Sequence, residues 1–406
     1  MPAKLKWPTK RLGDLAEFRN GVNYNKSSFG VGIKVVGVSD FQDYTKPRYA
    51  ELEQINPEGI VTERNILRDG DIVFVRSNGN RELIGRSLFI EQPPEEVTHS
   101  AFSIRLRFTS REVHPKFYAY CFRAPLVRQA LTAQGGGTNI NNLNQDILNA
   151  LEVPFPPLPV QRRIAGILSA YDELIENSQR RIRILESMAR ALYREWFVHF
   201  RFPGHDTKSS ASDNSPDFVS GMLGDLCGLT KDTYDDAVHS ELPLLDLAHM
   251  PSRTLAPQDT GHPSELTTSR IVFKKNDTLF GAIRCYLHKV VAAHYSGVTN
   301  TSVLVLRPKR PCFRSLLAII ASDAETIRWA EAQSTGTKMP VINWGIFQKM
   351  PAPVPSAGLA QEFENIAGPM LDQIGVHAIQ IQNLRRTRDL LLPRLLSGQV
   401  QIPNTN

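Results

Sequence analysis

Residues 161–203 read QRRIAGILSAYDELIENSQRRIRILESMARALYREWFVHFRFP. Apolar side chains recur there at Ile164, Ile167, Leu168, Tyr171, Leu174, Ile175, Ile182, Leu185, Met188, Ala189, Leu192 and Trp196. Steps of three and four put them on one face of a helix, as in a coiled coil or a bundle. A second stretch repeats the pattern at Phe363, Ile366, Met370, Ile374, His377, Ile381, Leu384, Leu391 and Leu395, with Arg388 interrupting the stripe. Each predicts a helix of roughly 35–40 residues, about 55 Å long at 1.5 Å per residue. A helix with one apolar stripe must bury it. Two such stripes in one chain can bury each other, so packing of the two helices against one another is the expectation.

Each helix is launched by a proline-rich elbow, VPFPPLPV (Val153–Val160) and MPAPVP (Met350–Pro355). Proline has no N–H and disfavours helix in the residue before it, so an elbow ends one element and starts the next. Ahead of each elbow lies a mixed region. The first has strand-like runs at Ile33–Val38, Asp71–Val75 and Phe102–Phe108, bounded by turn residues, and a helix expected over Pro115–Ala133. The second has Leu242–Leu247, TLFGAI from Thr278, VLVLR from Val303 and a helix near Phe313–Ala332.

The two halves are an internal repeat, the feature that organises the fold. LGDL at Leu12–Leu15 recurs at Leu223–Leu226, and GDIVF at Gly70–Phe74 recurs as NDTLF at Asn276–Phe280. The run from Ser100 to Arg107 matches that from Asn300 to Arg307. Gly137-Thr138 returns as Gly336-Thr337, Asn144 as Asn343, Ile147 as Ile346 and Gln161 as Gln361. The order is kept throughout at an offset of 199 to 211 residues. The expected fold class is therefore α+β: two globular mixed α/β regions separated by two long, coiled-coil-like helices, with a pseudo-twofold repeat. The boundaries read 1–157, a helix over 158–202, a polar linker over 203–217, a second region over 218–355 and a helix over 356–400.

Composition narrows the function classes. With 406 residues the chain has room for two to four domains, and 41% hydrophobic residues supply real cores. Lys and Arg exceed Asp and Glu by 47 to 41, a mild excess that fits a polyanion partner without demanding one. No apolar run approaches the roughly 18 residues of a membrane span. The opening MPAKLKWPTKRLGDL lacks the apolar core of a secretory signal. The four cysteines, Cys121, Cys227, Cys285 and Cys312, stand apart without CxxC spacing and read as reduced thiols. A soluble, cytoplasmic protein with no membrane partner is expected.

Catalytic motifs are missing. There is no GxxxxGK[ST], HExxH, GxSxG or GxGxxG. Phe155-Pro156-Pro157 lacks the Asn or Asp that amino-methyltransferases place before their prolines, and His199 and His205 lack metal-ligand spacing. No catalytic residue, metal or cofactor is expected. What remains are polar and basic loops in equivalent places. One holds Arg76, Ser77, Asn78, Asn80, Arg81 and Arg86, and its counterpart holds Arg284, Tyr286, His288 and Lys289. Arg and Asn are the side chains that bidentately read guanine and adenine edges. The other pair is GGGTNINNLNQ (Gly135–Gln145), with Thr138, Asn139, Asn141 and Asn142, and STGTKMPVINW (Ser334–Trp344), with Thr337, Lys338, Asn343 and Trp344. Gly-Thr turns can offer backbone N–H groups to phosphate. Either loop alone reads more readily as a solvated turn; its recurrence in both halves favours the binding reading.

This layout resembles the DNA-specificity subunit of Type I restriction–modification enzymes. The resemblance rests on the paired RLGDL and MLGDL openings, the GDIVF-type strand, and the elbow followed by Gln161-Arg162-Arg163-Ile164-Ala165. It extends to Leu192–Pro203 and to LLLPRLLSGQV at Leu390–Val400. The second elbow departs from the pattern, with PSAGLAQEF at Pro355–Phe363 in place of a basic start, which leaves the exact start of the second helix open. The resemblance implies two target-recognition domains, each reading one half of a bipartite double-stranded DNA site. It implies that the helices pack antiparallel as a spacer and dock two adenine-N6 methyltransferase subunits, which carry the S-adenosylmethionine chemistry, and that translocase/nuclease subunits join for restriction. The chain itself would be non-catalytic. A two-domain scaffold that binds no DNA is the competing reading, separated by a DNA-binding assay at graded salt.

Overall fold

The computed structural model describes residues 7–41, 45–133, 142–203, 218–257 and 259–400. The chain forms two units: one takes the residues up to Asp172 and those from Arg386 onward, the other takes Glu173–Arg385.

In the first unit β1 (Thr9–Arg11), β2 (Ala16–Asn20), β3 (Phe29–Val36), β4 (Glu53–Ile55), β5 (Ile72–Val75), β6 (Ser87–Phe89), β7 (Val97–His99), β8 (Ser103–Phe108) and β9 (Glu152–Pro154) make three sheets. The largest is antiparallel in the order β2-β8-β5-β6; β4-β3-β7 and β1-β9 complete the set. The central strand β5 is buried along its whole length. Its side chains alternate between two cores: Ile72 and Phe74 join one, Val73 and Val75 the other. That is why GDIVF is apolar at every strand position rather than at every second one.

The second unit repeats the arrangement with β10 (Phe218–Met222), β11 (Cys227–Thr230), β12 (Asp232–Thr233), β13 (Arg270–Phe273), β14 (Thr278–Gly281), β15 (Val290–Ala292), β16 (Gly297–Asn300), β17 (Val303–Pro308) and β18 (Pro351–Pro355). Its large sheet runs β11-β17-β14-β15, strand for strand the order of the first. The small sheets differ: β3 pairs β7 in parallel, whereas β13 pairs β16 antiparallel. A buried ion pair is common to both. Arg107 donates from Nε and Nη2 to the two carboxylate oxygens of Asp71 at 2.8 and 2.7 Å, and Arg307 does the same to Asp277 at 2.8 and 2.8 Å. Each carboxylate also accepts a backbone N–H, from Arg68 and from Lys274. The turn before the central strand is thus tied to the neighbouring strand. These hydrogen bonds hold both guanidinium groups in the charged form.

Three sequence expectations need correction. The helix expected over Pro115–Ala133 is two, Pro115–Cys121 and Pro125–Ala133, because Pro125 can start a helix but cannot continue one. Its counterpart is likewise split into Arg314–Ala321 and Ala324–Ala332, where Asp323 caps the second piece by accepting from the Glu325 N–H at 2.9 Å. Leu242–Leu247 forms no strand; Leu244 makes only isolated bridges, and its apolar character comes from burial with Leu245.

The long helices are Leu158–Tyr193 and Ala357–Leu396, of 36 and 40 residues. The first ends in a π turn, Arg194–Val198. The second begins after Ser356, whose hydroxyl accepts the Leu359 N–H at 3.3 Å. In the second unit Ile175 and Ile182 pack with Ile374, Ala378 and Ile381, flanked by half-buried Leu185 and Leu384. Ser178 meets Gln380, and farther along Trp196 and Phe197 stack against Phe363 with ring centroids 5.7 and 5.1 Å away. Advancing along one helix means retreating along the other, so the pair is antiparallel. In the first unit Ile164, Ala165 and Leu168 share a core with Leu392, Leu395 and Leu396. Leu174, expected in the seam, is 47% exposed, and Ile175 takes its place. Tyr171 is half-buried, while Leu192 and Met370 lie at the edge of the second unit's core. Arg388, which breaks the stripe, reaches Asp172 at 2.6 Å, and Asp172 also accepts from the Tyr120 hydroxyl at 2.7 Å.

The second mixed region is fastened to both helices. Glu186, buried on the first helix, accepts from Thr254 Oγ1 and the Leu255 N–H at 2.6 and 2.7 Å. On the second helix Gly375 lies against His294: an added Cβ would stand 2.3 Å from the ring. Alanine normally favours a helix over glycine by about 1 kcal/mol. Gly375→Ala should nonetheless destabilise the protein by roughly 1–3 kcal/mol, the usual range for overpacking, read as a lowered urea midpoint. A gain in stability would show that the approach is not close.

Burial also sets a pH dependence. His99 is fully buried, and desolvation lowers its pKa to about 3. Its folded pKa lies below the unfolded value of roughly 6.5, so its share of stability is complete above that pH and declines as the pH falls. Between pH 6.5 and 5, where most carboxylates stay ionised, stability should drop by up to about 1.4 kcal/mol per pH unit for such a histidine. His99→Gln should remove part of that slope in urea titrations. An unchanged slope would place the effect elsewhere.

Candidate nucleic-acid interface

In the first unit the loop after β5 meets the segment at 142–144. Leu143 N–H donates to the Arg76 carbonyl at 2.8 Å, and Ser77 and Asn142 form an isolated antiparallel bridge. The Arg76 and Ser77 N–H groups both point at the Phe102 carbonyl, 2.7 and 3.3 Å away. Phe102 itself is 61% exposed, a feature no periodicity could reveal. Asn78 and Asn80 use their side-chain oxygens on the loop itself, accepting from the N–H groups of Asn80 and Glu82 at 2.6 and 3.0 Å. Their NH₂ groups and the second lone pair of each oxygen are left for a ligand. Arg86 is half-buried and donates to the Phe41 carbonyl. The backbone of Arg81 sits in a short 3₁₀ turn. Thr138, Asn139 and Asn141 lie outside the described residues, as does the linker from 204 to 217.

The second unit brings its two loops together in the same way. Ile283 and Val341 form an antiparallel bridge, the Arg284 N–H donates to the Pro340 carbonyl at 2.8 Å, and the Ile342 N–H to the Ala282 carbonyl at 3.0 Å. Arg284, Tyr286, Thr337 and Lys338 are exposed along this edge. Three other residues expected there are engaged elsewhere. His288 is buried, and its Nε2–H donates to the Ser322 carbonyl at 2.8 Å; desolvation lowers its pKa. Lys289 donates to the Leu247 carbonyl at 2.5 Å, with its pKa also lowered by desolvation. Asn343 caps the helix Trp344–Phe347 by accepting the Ile346 N–H at 3.0 Å, just as Asn144 accepts the Ile147 N–H at 2.8 Å. Trp344 packs half-buried against the core. The Asn144/Asn343 repeat is therefore a repeat of helix caps. Sequence reasoning missed the exposed Leu287 and Met339 beside the cations.

The edge can do recognition chemistry: it offers cations, amide groups and apolar tips. Among the described residues no group of three or more His, Cys, Asp or Glu side chains could hold a metal ion. No described helix is long and apolar enough to cross a membrane.

Comparison with known proteins agrees with this geometry. Residues 4–187 match the family model of the Type I restriction modification DNA specificity domain. Over 424 aligned residues the chain is 22% identical to the Type I restriction enzyme MjaIX specificity subunit of Methanocaldococcus jannaschii, covering 98% of this chain and 94% of that one. It is 27% identical over 125 residues to the EcoKI specificity subunit of Escherichia coli, covering 31% and 26% of the two chains. The fold is similar to that of the Type I restriction–modification S subunit from M. genitalium, with a TM-score of 0.57 at 16% identity over 99% of this chain and 97% of that one. Specificity chains are the non-catalytic part of such enzymes. Residues 4–187 are thus identified as a Type I restriction modification DNA specificity domain.

Proposed function

We propose that the chain is the address-reading subunit of a Type I restriction–modification complex acting on double-stranded DNA in the cytoplasm. On this reading residues 1–157 and 218–355 are target-recognition domains related by a pseudo-twofold, each reading one half of a bipartite site. The helices over 158–202 and 356–400 hold two adenine-N6 methyltransferase subunits, and translocase/nuclease subunits join for restriction. One observation carries the reading. In both units the loop after the central strand and the segment before an Asn-capped helix meet at the same sheet edge, yet the side chains displayed there differ. A common scaffold with two unlike surfaces is what reading two unlike half-sites requires.

The test is to express the chain with its methyltransferase subunit and sequence the methylated adenines. A bipartite asymmetric motif is expected, whereas the chain alone with S-adenosylmethionine should leave DNA unmethylated. Methyl transfer by the chain alone, or a complex that methylates without a motif, would overturn the assignment. A pure scaffold would show no salt-dependent DNA binding.

The placement of the loop residues gives a second expectation. Arg284→Ala and Lys338→Ala should weaken DNA binding without lowering the urea midpoint. Loss of a phosphate contact flattens the salt slope by about one unit; loss of a bidentate base contact costs roughly 1–3 kcal/mol and relaxes one motif position. Asn343→Ala should behave oppositely, lowering stability by about 1 kcal/mol as a lost helix cap does. Equal effects of all three on stability would remove Arg284 and Lys338 from the interface.

A further inference from the structure

Between β14 and β15 the chain makes a short 3₁₀ turn, Cys285–Leu287, bracketed by two non-glycine residues in the left-handed region: Arg284 at φ 52° and His288 at φ 53°. Such residues are uncommon and persist only where the surroundings hold them, often at functional sites. Here they are held. Cys285 is buried at the base of the turn, His288 is bonded to Ser322, and the Arg284 N–H to Pro340. The Arg253 N–H reaches the His288 carbonyl at 2.9 Å. The outcome is that Tyr286 and Leu287, both large and apolar, stand 48% and 40% exposed at the tip. Exposed Arg284 and Lys338 lie on the two loops that form this edge.

We propose that Tyr286 and Leu287 are a preformed wedge that enters the base stack of duplex DNA, so that the second mixed region reads its half-site partly through how easily one base step unstacks. The proposal rests on the DNA-reading role above and adds a mode of readout to it. Two apolar side chains at the tip of one tight turn suit the gap between neighbouring base pairs, where proteins insert Leu, Phe or Met to kink the duplex, and exposed Met339 and Val341 stand on the adjoining loop. Cations beside it suit the phosphates that flank such a step. A stable protein–protein interface needs some 800 Å² per partner, far more than this tip offers. Sequence preference then arises from deformability, with flexible pyrimidine–purine steps favoured. In the first unit the corresponding loop carries Ser77, Asn78 and Asn80 instead.

The experiment uses the full chain with its methyltransferase subunit and duplexes carrying the motif returned by methylation mapping, with 2-aminopurine at each position in turn. Apart from the methylated adenines, which a methyltransferase flips out of the stack, fluorescence should rise several-fold at one step of one half-site. Leu287→Ala and Tyr286→Ala should abolish that rise and weaken binding about tenfold, the scale of a lost stacking contact, while Leu287→Met keeps both. Both side chains are exposed, so the urea midpoint should not move. Tight, specific binding with no unstacking away from the methylated adenines would overturn the wedge and leave the DNA-reading role intact. Absence of any motif or duplex binding would overturn both. Loss of methyltransferase co-purification in the alanine variants would show that the tip contacts protein, and would overturn the wedge as well.

Discussion

The interaction on which the architecture depends is the burial of Leu392, Leu395 and Leu396 in a core otherwise built from residues 12–168. Fully burying one such side chain contributes roughly 1.5–3 kcal/mol, and a typical domain is stable by only about 5–15 kcal/mol. The last helix is therefore a structural part of the first unit, although more than two hundred residues intervene. Closing so long a loop adds little beyond a short one, because the entropic cost grows only with the logarithm of length. The arrangement also commits the same helix twice. Its face from Phe363 to Ile381 belongs to the second unit and its end to the first, so neither long helix can be assigned to one half of the chain.

Each mixed region must be joined to a long helix, and the two do it with different chemistry. In the first, Gln161 is fully buried: it accepts from the His114 N–H at 2.8 Å and donates to the carbonyls of Glu112 and Pro156. Its counterpart Gln361 is exposed and bonds only locally to Asn365. There the joint is made by Arg314, which reaches Glu364 at 2.9 Å, Asp372 at 2.8 Å and the Gly368 carbonyl at 3.0 Å. By contrast, the Asp71–Arg107 and Asp277–Arg307 forks are alike in both halves. Removing one member of a buried pair strands a charge and costs about 3–5 kcal/mol. A neutral glutamine that moves to the surface recovers its hydrogen bonds from water.

The two loop edges follow the same logic. The framework beneath them is shared: a strand buried on both faces, two adjoining loops and an asparagine-capped helix. Above it the first unit presents a loop whose amides partly satisfy one another, and the second a strained turn that pushes two apolar side chains outward. Backbone hydrogen bonds from Arg76 and Arg284 hold each loop in place, so side-chain identity at the tip is free to differ without endangering the fold.

The sequence by itself determined the repeat, the two long helices nearly to their ends, the elbows that launch them and the doubly buried central strands. These are local signals, carried by spacing along one element and by the conformational limits of proline. It also located the loops that come to share an edge. It could not say which residues in those loops face outward: His288, Lys289 and Asn343 have the composition of a binding loop but are consumed by Ser322, Leu247 and the Ile346 N–H. Nor could it choose Ile175 over Leu174 for the seam, or show that Arg388 completes the stripe through Asp172. Those outcomes depend on partners far away in the chain. A side chain's type sets what it can bond to, and only the packed structure decides which bond it makes.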